Sequence, residues 1–561
     1  MASSGVTNTM ALPPSPVDTK RWLKSPNLRT LNFLMMIPLL SIFSQGFDGS
    51  MMNGLQSVSH WQTYFGTPTG AMLGFFNAAY PLGGIMGTFL ISPAADTFGR
   101  RWGLATGAAL CCIGAAIQGA AMNIAMFIIS RVIIGAGSVV VAGVGAPYIT
   151  EIAHPAQRTA TALFLTFYSV RSIIAGWCTF GTFRIKSTAS WRIPSALQGL
   201  PSVVQLLFVW FVPESPLWLV SKGRNDEALQ MLAKYHGEGD SSDPVVQFEY
   251  NEILETLSAE ASEHNNIVVF LKDLGSTPGN RRRMFIMVWA AICSQMSGNA
   301  FVSYYLSPIL HSVGLNSDFQ QTLINATNQM LSWFSAIYFA TLPAKVGRRK
   351  LFLWSLTAIW VIDICIAAGS AVFAKDNTNK AAAYTVVAFL YLFSPAYNLG
   401  FNGNLGLYIP EILPYRMRTK GLSFFYFVQF CFMMLSTFVV PIGLGDITWK
   451  FYIIFVVWVM VEFVGVYLVF PETKGPSLEE IAWIFDGPQV ELMCILLESK
   501  ARTQPLLSIQ MVRNLSSMVS AGTGYFFWVR GIMKSYSHVA NVDEGLRGNA
   551  DWIMMWSDKV A

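Results

Sequence analysis

A single carboxylate, Asp48, sits inside the first long apolar segment, in the run Ser41 to Leu55. A charge at bilayer depth is costly and usually faces a cavity or a partner. Arg131 is the matching cation, inside another apolar segment. Both lie roughly 8–10 Å from the outer end of their segments at 1.5 Å per residue, so they can meet. An arginine neighbour favours the charged carboxylate and dehydration favours the neutral one. A carboxylate that moves between such environments can load a proton on one side and release it on the other. A static pair that fixes helix packing is the alternative. Gln295 and Asn299 are spaced i, i+4, which places both on one face of a helix. Their amides donate and accept, as hydroxyl-rich solutes require. Arg171 is the oddest group, a cation in the middle of an apolar segment. It could bind a carboxylate on a solute, pair with an acid, or pack against a neighbouring helix. Asp363 and Glu462 also sit near mid-depth.

The elements that must position these groups are membrane helices. Of 561 residues, 53% are hydrophobic and 12% charged, and mean hydropathy is +0.44. Soluble domains carry about 25% charged residues. A spanning helix needs about 20 mainly apolar residues. Twelve segments qualify: 31–54, 70–92, 102–121, 125–148, 161–181, 195–213, 284–306, 321–343, 351–373, 382–409, 421–443 and 450–470. The expected class is an all-α membrane protein with twelve transmembrane helices in two six-helix bundles. A tail covers 1–30, the bundles cover 31–213 and 284–470, and a loop with short amphipathic helices covers 214–283. A second tail covers 471–561, in which Met518 to Val529 is apolar but too short to span.

Basic residues set the orientation. Arg100, Arg101, Arg158, Lys345, Arg348, Arg349, Lys350, Arg416, Arg418 and Lys420 fall in alternate short loops. The positive-inside rule then puts both termini in the cytoplasm. The net charge of +5 belongs to this loop bias and does not suggest nucleic-acid binding. The seven cysteines show no metal or disulfide spacing. No cofactor is expected, and no nucleophile–base pairing, metal cluster or phosphate loop suggests an enzyme.

The halves repeat. Asp96 to Arg101 matches Lys345 to Lys350, Glu151 to Arg158 matches Glu411 to Arg418, and Pro213 to Pro216 matches Pro471 to Gly475. Such duplication marks a two-bundle carrier. Asp96, Arg100, Arg101, Glu151, Arg158 and Glu214 are expected to form a cytoplasmic gate in one half. Arg348, Arg349, Glu411, Arg416 and Glu472 are expected to do so in the other. Ion pairs that close in one state and part in another bias a two-state equilibrium.

With Arg131-x-x-x-Gly135 and Gln295-x-Ser-Gly-Asn299, these motifs resemble the sugar-porter branch of the major facilitator superfamily over about 30–487. The stretches Phe47 to Gln56 and Trp191 to Gln198 look most like fungal hexose and lactose-permease-like transporters. The resemblance implies alternating access around one midplane site lined by helices one, four, seven and ten. It also implies that proton symporters carry Asp at the place of Asp48. Ser332 stands where the family has an asparagine, and Asn402, Asn404 and Tyr408 remain as polar candidates on helix ten. The departures are Leu165 for a glutamine, Gly406 for a tryptophan, Gly403 for a proline, Ala344 for an aspartate and Leu217 for an arginine. The expected protein is a monomeric plasma-membrane carrier of a small solute, a hexose or disaccharide, moved with a proton. A carrier or exporter of a sugar acid or secondary metabolite is the first alternative, and a non-transporting nutrient receptor the second.

Overall fold

The computed structural model describes residues 25–43, 46–155, 168–261, 267–414, 417–476 and 478–486. Arg158, Arg416, Leu165 and the apolar run Met518 to Val529 lie outside them. Among the described residues every regular element is a helix, and twelve membrane helices follow in the expected order. In the first half, helix one has two pieces, Pro26–Phe43 and Phe47–Gln56. Helix two is Gly70–Ser92, helix three Arg100–Gly119 and helix four Ile124–Ile152. Helix five is described from Tyr168 to Thr182. Helix six joins Ala189–Leu197 to Leu200–Phe208.

In the second half, helix seven runs as Pro278–Met296, Asn299–Tyr304 and Leu306–Ser312. Helix eight is Asp318–Ala340 and helix nine Arg348–Lys375. Helix ten joins Lys380–Tyr397 to Leu405–Ile412 through a π-helical turn, Asn398–Asn402. Helices eleven and twelve are Arg418–Ile447 and Lys450–Val469.

Eight of these helices are both long and apolar enough to cross a membrane by themselves. Helices one, five, seven and eight complete the twelve. Helix seven falls short because it is broken into shorter pieces, and helix one is described in two separate pieces. Helix five is described only in part. Helix eight carries Gln320, Gln321, Asn325, Asn328 and Gln329 within its span. Those amides dilute its apolarity because that helix lines the contact between the halves.

The breaks have local causes. Gly298 takes φ +94°, a left-handed conformation that L side chains rarely adopt. It stops the first piece of helix seven and starts the next. On helix one, Gly46 precedes the second piece, and Asp48 falls in that piece's first turn. A carboxylate there meets the positive end of the helix dipole.

Small residues let the helices of the first half pack closely. A Cβ at Gly83 would collide with the Val132 carbonyl, and one at Gly135 with the Tyr80 carbonyl. Helices two and four therefore touch backbone to backbone, as membrane helices with small residues do. This contact holds Arg131 in place, one turn before Gly135.

Between the halves lie the short helices Pro216–Ser221, Asn225–His236, Pro244–Ala261 and Ile267–Ser276. His236 ties them to the bundle. Its Nδ1 lies 2.5 Å from Glu249 Oε2, and its Nε2 donates to the Ile152 carbonyl at the end of helix four. After helix twelve, Leu478–Asp486 forms one more helix. Its Phe485 ring lies under the guanidiniums of Arg282 and Arg283, at 5.4 and 4.7 Å.

The glycine contact yields a prediction. Gly135→Leu forces helices two and four apart and costs about 1–3 kcal/mol or more. Size-exclusion chromatography of the fluorescent-tagged chain should show loss of the sharp monodisperse peak. A wild-type profile would contradict the packing.

Candidate functional site

Asp48 and Arg131 meet face to face. Arg131 Nη1 donates to Oδ1 at 2.9 Å and Nη2 to Oδ2 at 2.8 Å. The side chains are 2% and 0% exposed respectively. This two-pronged geometry is the strong form of an ion pair. It joins helix one to helix four in the core of the first half.

Arg171 lies on the same side. It is 3% exposed, and its guanidinium stands 5.4 Å from the Phe47 ring centroid, next to Asp48 in the chain. Arg171 thus contacts helix one through the ring of Phe47.

The helical piece with Asp48 also meets the second half. Asn53 Nδ2 donates to the Val302 carbonyl at 2.7 Å, and Asn53 Oδ1 accepts from the Leu306 N–H at 3.1 Å. Gln56 Nε2 donates to the Tyr304 carbonyl at 2.9 Å. Ser307 Oγ donates to the Gln56 carbonyl at 3.2 Å. Asn325 Nδ2 donates to the Ser50 carbonyl at 3.0 Å, and Ser59 Oγ to Asp318 at 2.6 Å. These bonds zip the halves together at the end opposite the basic loops. Side-chain amides here cap the unsatisfied backbone groups of the broken helix seven. Asn53, Gln56 and Asn325 escaped the sequence reading, although amides in apolar segments were the signal to follow.

Gln295 and Asn299 lie on either side of the Gly298 break, so they do not share one helix face. A broken helix removes the i, i+4 relation. Gln295 Nε2 donates to Ser294 Oγ at 3.3 Å, whereas Asn299 Oδ1 accepts from Ser303 Oγ at 3.0 Å. Ser294 gathers further groups: Gln429 Nε2 reaches its hydroxyl at 3.0 Å and the Tyr397 hydroxyl its carbonyl at 2.8 Å. The next residue, Asn398, binds Ser332 through its carbonyl at 2.8 Å and its hydroxyl at 3.2 Å. Asn402 Nδ2 donates to Asn398 Oδ1 at 2.8 Å. Gln295, Ser332 and Asn402 thus join one polar tract along helix ten, centred on the π-helical turn. A π turn often marks a functional site. Tyr397, Asn398 and Gln429 belong to this tract and were missed. Gln429 was visible as a lone amide in an apolar helix.

Asn404 and Tyr408 are placed elsewhere. Asn404 Nδ2 donates to the Arg348 carbonyl at 3.0 Å. The Tyr408 hydroxyl donates to the Pro471 carbonyl at 3.0 Å, and its ring stacks on Phe470 at 5.4 Å. Both knit the basic end of the second half and do not face the polar tract. Tyr148 makes the equivalent bond to the Pro213 carbonyl in the first half. Tyr148 and Tyr408 each stand three residues before Glu151 and Glu411, so the repeat itself carried this assignment.

At the basic end the expected gate groups assemble twice. Arg100 binds Asp96 at 2.7 Å and Glu151 at 3.1 Å. Glu214 accepts the Arg100 backbone N–H at 2.9 Å and that of Arg101 at 3.4 Å. Burial pushes the Glu214 carboxyl up despite these donors. Arg101 Nε donates to the Val212 carbonyl. In the second half Arg348 binds Glu411 at 2.7 Å, and Glu472 accepts the Arg348 N–H at 2.8 Å. Arg349 donates to the Tyr467 carbonyl. Gly99 and Gly347 have φ +103° and +107°, and a Cβ at either would lie 2.6 Å from Glu214 or Glu472. Ala344 stands in the place of Asp96, and Arg348 Nη1 instead donates to the Pro343 carbonyl at 3.0 Å. These pairs lie within each half. They are formed while the opposite end is closed, so they brace each bundle and do not clasp one bundle to the other.

Asp363 and Glu462 are buried in the second half, where Glu462 Oε1 accepts from Trp458 Nε1 at 2.7 Å. Among the described residues no cluster of metal-ligand side chains occurs.

Removing one partner of the buried pair strands the other. Arg131→Ala should cost about 3–5 kcal/mol, and Asp48→Asn a comparable amount, because it leaves the buried Arg131 guanidinium without a counter-charge. Unfolding of each variant in detergent checks this. Small losses in both would contradict a desolvated pair.

Comparison with known proteins places this geometry. Residues 34–485 match the model of the family described as "Sugar (and other) transporter". A high-affinity glucose transporter of Candida albicans is 29% identical over 489 residues, covering 82% of this chain and 87% of its own. The MFS-type transporter criB of Aspergillus cristatus is 26% identical over 469 residues, covering 82% and 95%. Among solved structures, a partially occluded inward open conformation of the xylose transporter XylE from E. coli superposes with a TM-score of 0.64. It is 19% identical and covers 81% of this chain and 100% of its own.

Proposed function

Because the chain belongs to the sugar (and other) transporter family, a family of membrane carriers and not of enzymes, we propose that it moves a sugar with a proton by alternating access. The observation that supports this most is the buried Asp48–Arg131 pair at the start of the outer piece of helix one. That piece carries both the titratable carboxylate and the amides that close the opposite end. A change in Asp48 is therefore transmitted directly to the seam between the halves.

The basic end faces the cytoplasm by the positive-inside rule, with both termini there and the plasma membrane as the site of action. The conformation is then inward-facing, closed on the outside. A proton taken up by Asp48 from outside weakens its hold on Arg131, and the polar tract of Gln295, Gln429, Asn398, Ser332 and Asn402 receives the solute. Amide-rich tracts suit sugar hydroxyls, and relatives named as glucose transporters make a hexose the first candidate. Arg171 packs over Phe47, the residue before Asp48 in the chain, so it acts on the proton side of the cycle. The acid–arginine pairs at the basic end keep each bundle rigid while the bundles rock.

The test uses the full chain in proteoliposomes with labelled D-glucose and an inward proton gradient. For one proton per solute, each pH unit supplies about 1.4 kcal/mol, or tenfold accumulation. The wild type should accumulate glucose above the external level. Asp48→Asn should lose accumulation and keep exchange of internal for external glucose. Full accumulation by the variant would overturn the coupling role.

A further inference from the structure

His236 ends the short helix Asn225–His236 and is fully buried. Both of its ring nitrogens face acceptors. Nε2 lies 3.2 Å from the carbonyl of Ile152, the last residue of helix four. Nδ1 lies 2.5 Å from Glu249 Oε2, on the helix Pro244–Ala261. A carbonyl only accepts, so Nε2 carries a hydrogen. The contact at Nδ1 then needs a second hydrogen, shared between ring and carboxylate. Without it the ring would turn a lone pair toward an anion. The cluster therefore holds one proton more than a neutral imidazole beside an ionised carboxylate. Two helix C-termini, that of Asn225–His236 and that of helix four, meet at this ring, which favours positive charge there.

We propose that His236 and Glu249 form a proton-binding site, separate from Asp48, whose proton fastens the helices between the halves to the end of helix four. With the basic end in the cytoplasm, this proton is a cytoplasmic one. The inference goes beyond the transport reading and does not require Asp48 to carry the transported proton.

When the extra proton leaves, the ring keeps a single hydrogen. That hydrogen can serve Glu249 or Ile152 but not both, and one buried acceptor loses its donor. Acid thus tightens the docking and alkali loosens it. The site is well placed to matter. Two residues on, Glu238 accepts the Asn27 and Leu28 N–H groups at 3.2 and 3.0 Å, at the start of helix one. One short stretch therefore touches both helices that bear the Asp48–Arg131 pair. The surrounding titratable and charged groups are placed as follows. Helix four brings the His154 ring, its centroid 5.1 Å from that of His236, and Glu151, which is bound to Arg100 at 3.1 Å. On the helix of His236, Lys234 is exposed over the Tyr235 ring at 5.1 Å, and Arg224 pairs with Glu227 at the far end. Asp243 starts the helix of Glu249 and accepts the Val245 N–H at 2.7 Å. His154 and Glu249 each have further interactions, and Arg158 lies outside the described residues.

The experiment is amide hydrogen exchange on the full chain in lipid nanodiscs, from about pH 5 to about pH 8, corrected for the intrinsic pH dependence of exchange. In the wild type, peptides from Asn225–His236 and Pro244–Ala261 should lose protection about tenfold or more as pH rises, the worth of one hydrogen bond to a charged group. In Glu249→Gln the neutral amide donates to Nδ1 while Nε2–H still serves Ile152, so protection should stay high and flat. His236→Gln removes the titrating ring and should also be flat. His154→Gln should follow the wild type, and so should Asp48→Asn, which separates this site from the coupling role. Unchanged protection of helix nine confirms that each variant is folded, and two variants at the site guard against loss of either one. A flat wild type would overturn the proposal. So would a Glu249→Gln protein that follows pH or is unprotected throughout, or a His154→Gln protein that is flat.

Discussion

Two charges taken out of water need each other. The Asp48 carboxylate and the Arg131 guanidinium are both sealed from solvent, and several kcal/mol of desolvation is offset only while their two hydrogen bonds hold. Much of the first half can be understood as scaffolding for this contact. Backbone-to-backbone packing through Gly83 and Gly135 fixes helix four. Helix one presents Asp48 in the first turn of its piece Phe47–Gln56. Ser50 and Ser172 lock helix five alongside. A pair this expensive is a poor static brace, since apolar side chains of similar volume often serve as well. It is better suited to a group whose charge changes during the cycle.

The second half answers with broken helices and amides. Gly298 interrupts helix seven and the π-helical turn Asn398–Asn402 interrupts helix ten. The freed backbone groups are met by Asn53, Gln56 and Tyr397. Irregular backbone at membrane depth is tolerated where protein covers it or where it lines a cavity. The same irregularity makes helices seven and ten easy to move. At the basic end, Glu214 and Glu472 accept the backbone N–H groups of Arg100 and Arg348, which ties the starts of helices three and nine to the segments after helices six and twelve. Rigid ends and pliable centres are what a rocking two-bundle carrier requires.

The twelve segments, the duplication and the matched depth of Asp48 and Arg131 were all legible in the sequence, because apolar length and residue counting convert directly into position along a helix. Rotation about the helix axis and local breaks were not. Gln295 and Asn299 look like neighbours on one face until Gly298 adopts its left-handed turn. Tyr408 looks like a cavity residue until its register with Tyr148 is noticed. The direction of Arg171 could not be counted from either end of helix five, since depth says nothing of facing. Asn398 and Gln429 carried the same signal as Gln295 but fall outside the motifs that drew attention.

The central claim is that the charge on Asp48 controls which end of the carrier is open. Spin labels at Thr63 and Gln320, exposed positions on the two halves at the closed end, report the opening as a distance in the full chain with its native cysteines replaced. Acidification should shift the distance distribution of the Asp48-containing protein toward the longer, open population, and the Asp48→Asn protein should show one distribution at every pH. A distribution that ignores pH when Asp48 is present, or that still follows pH in its absence, would contradict the account.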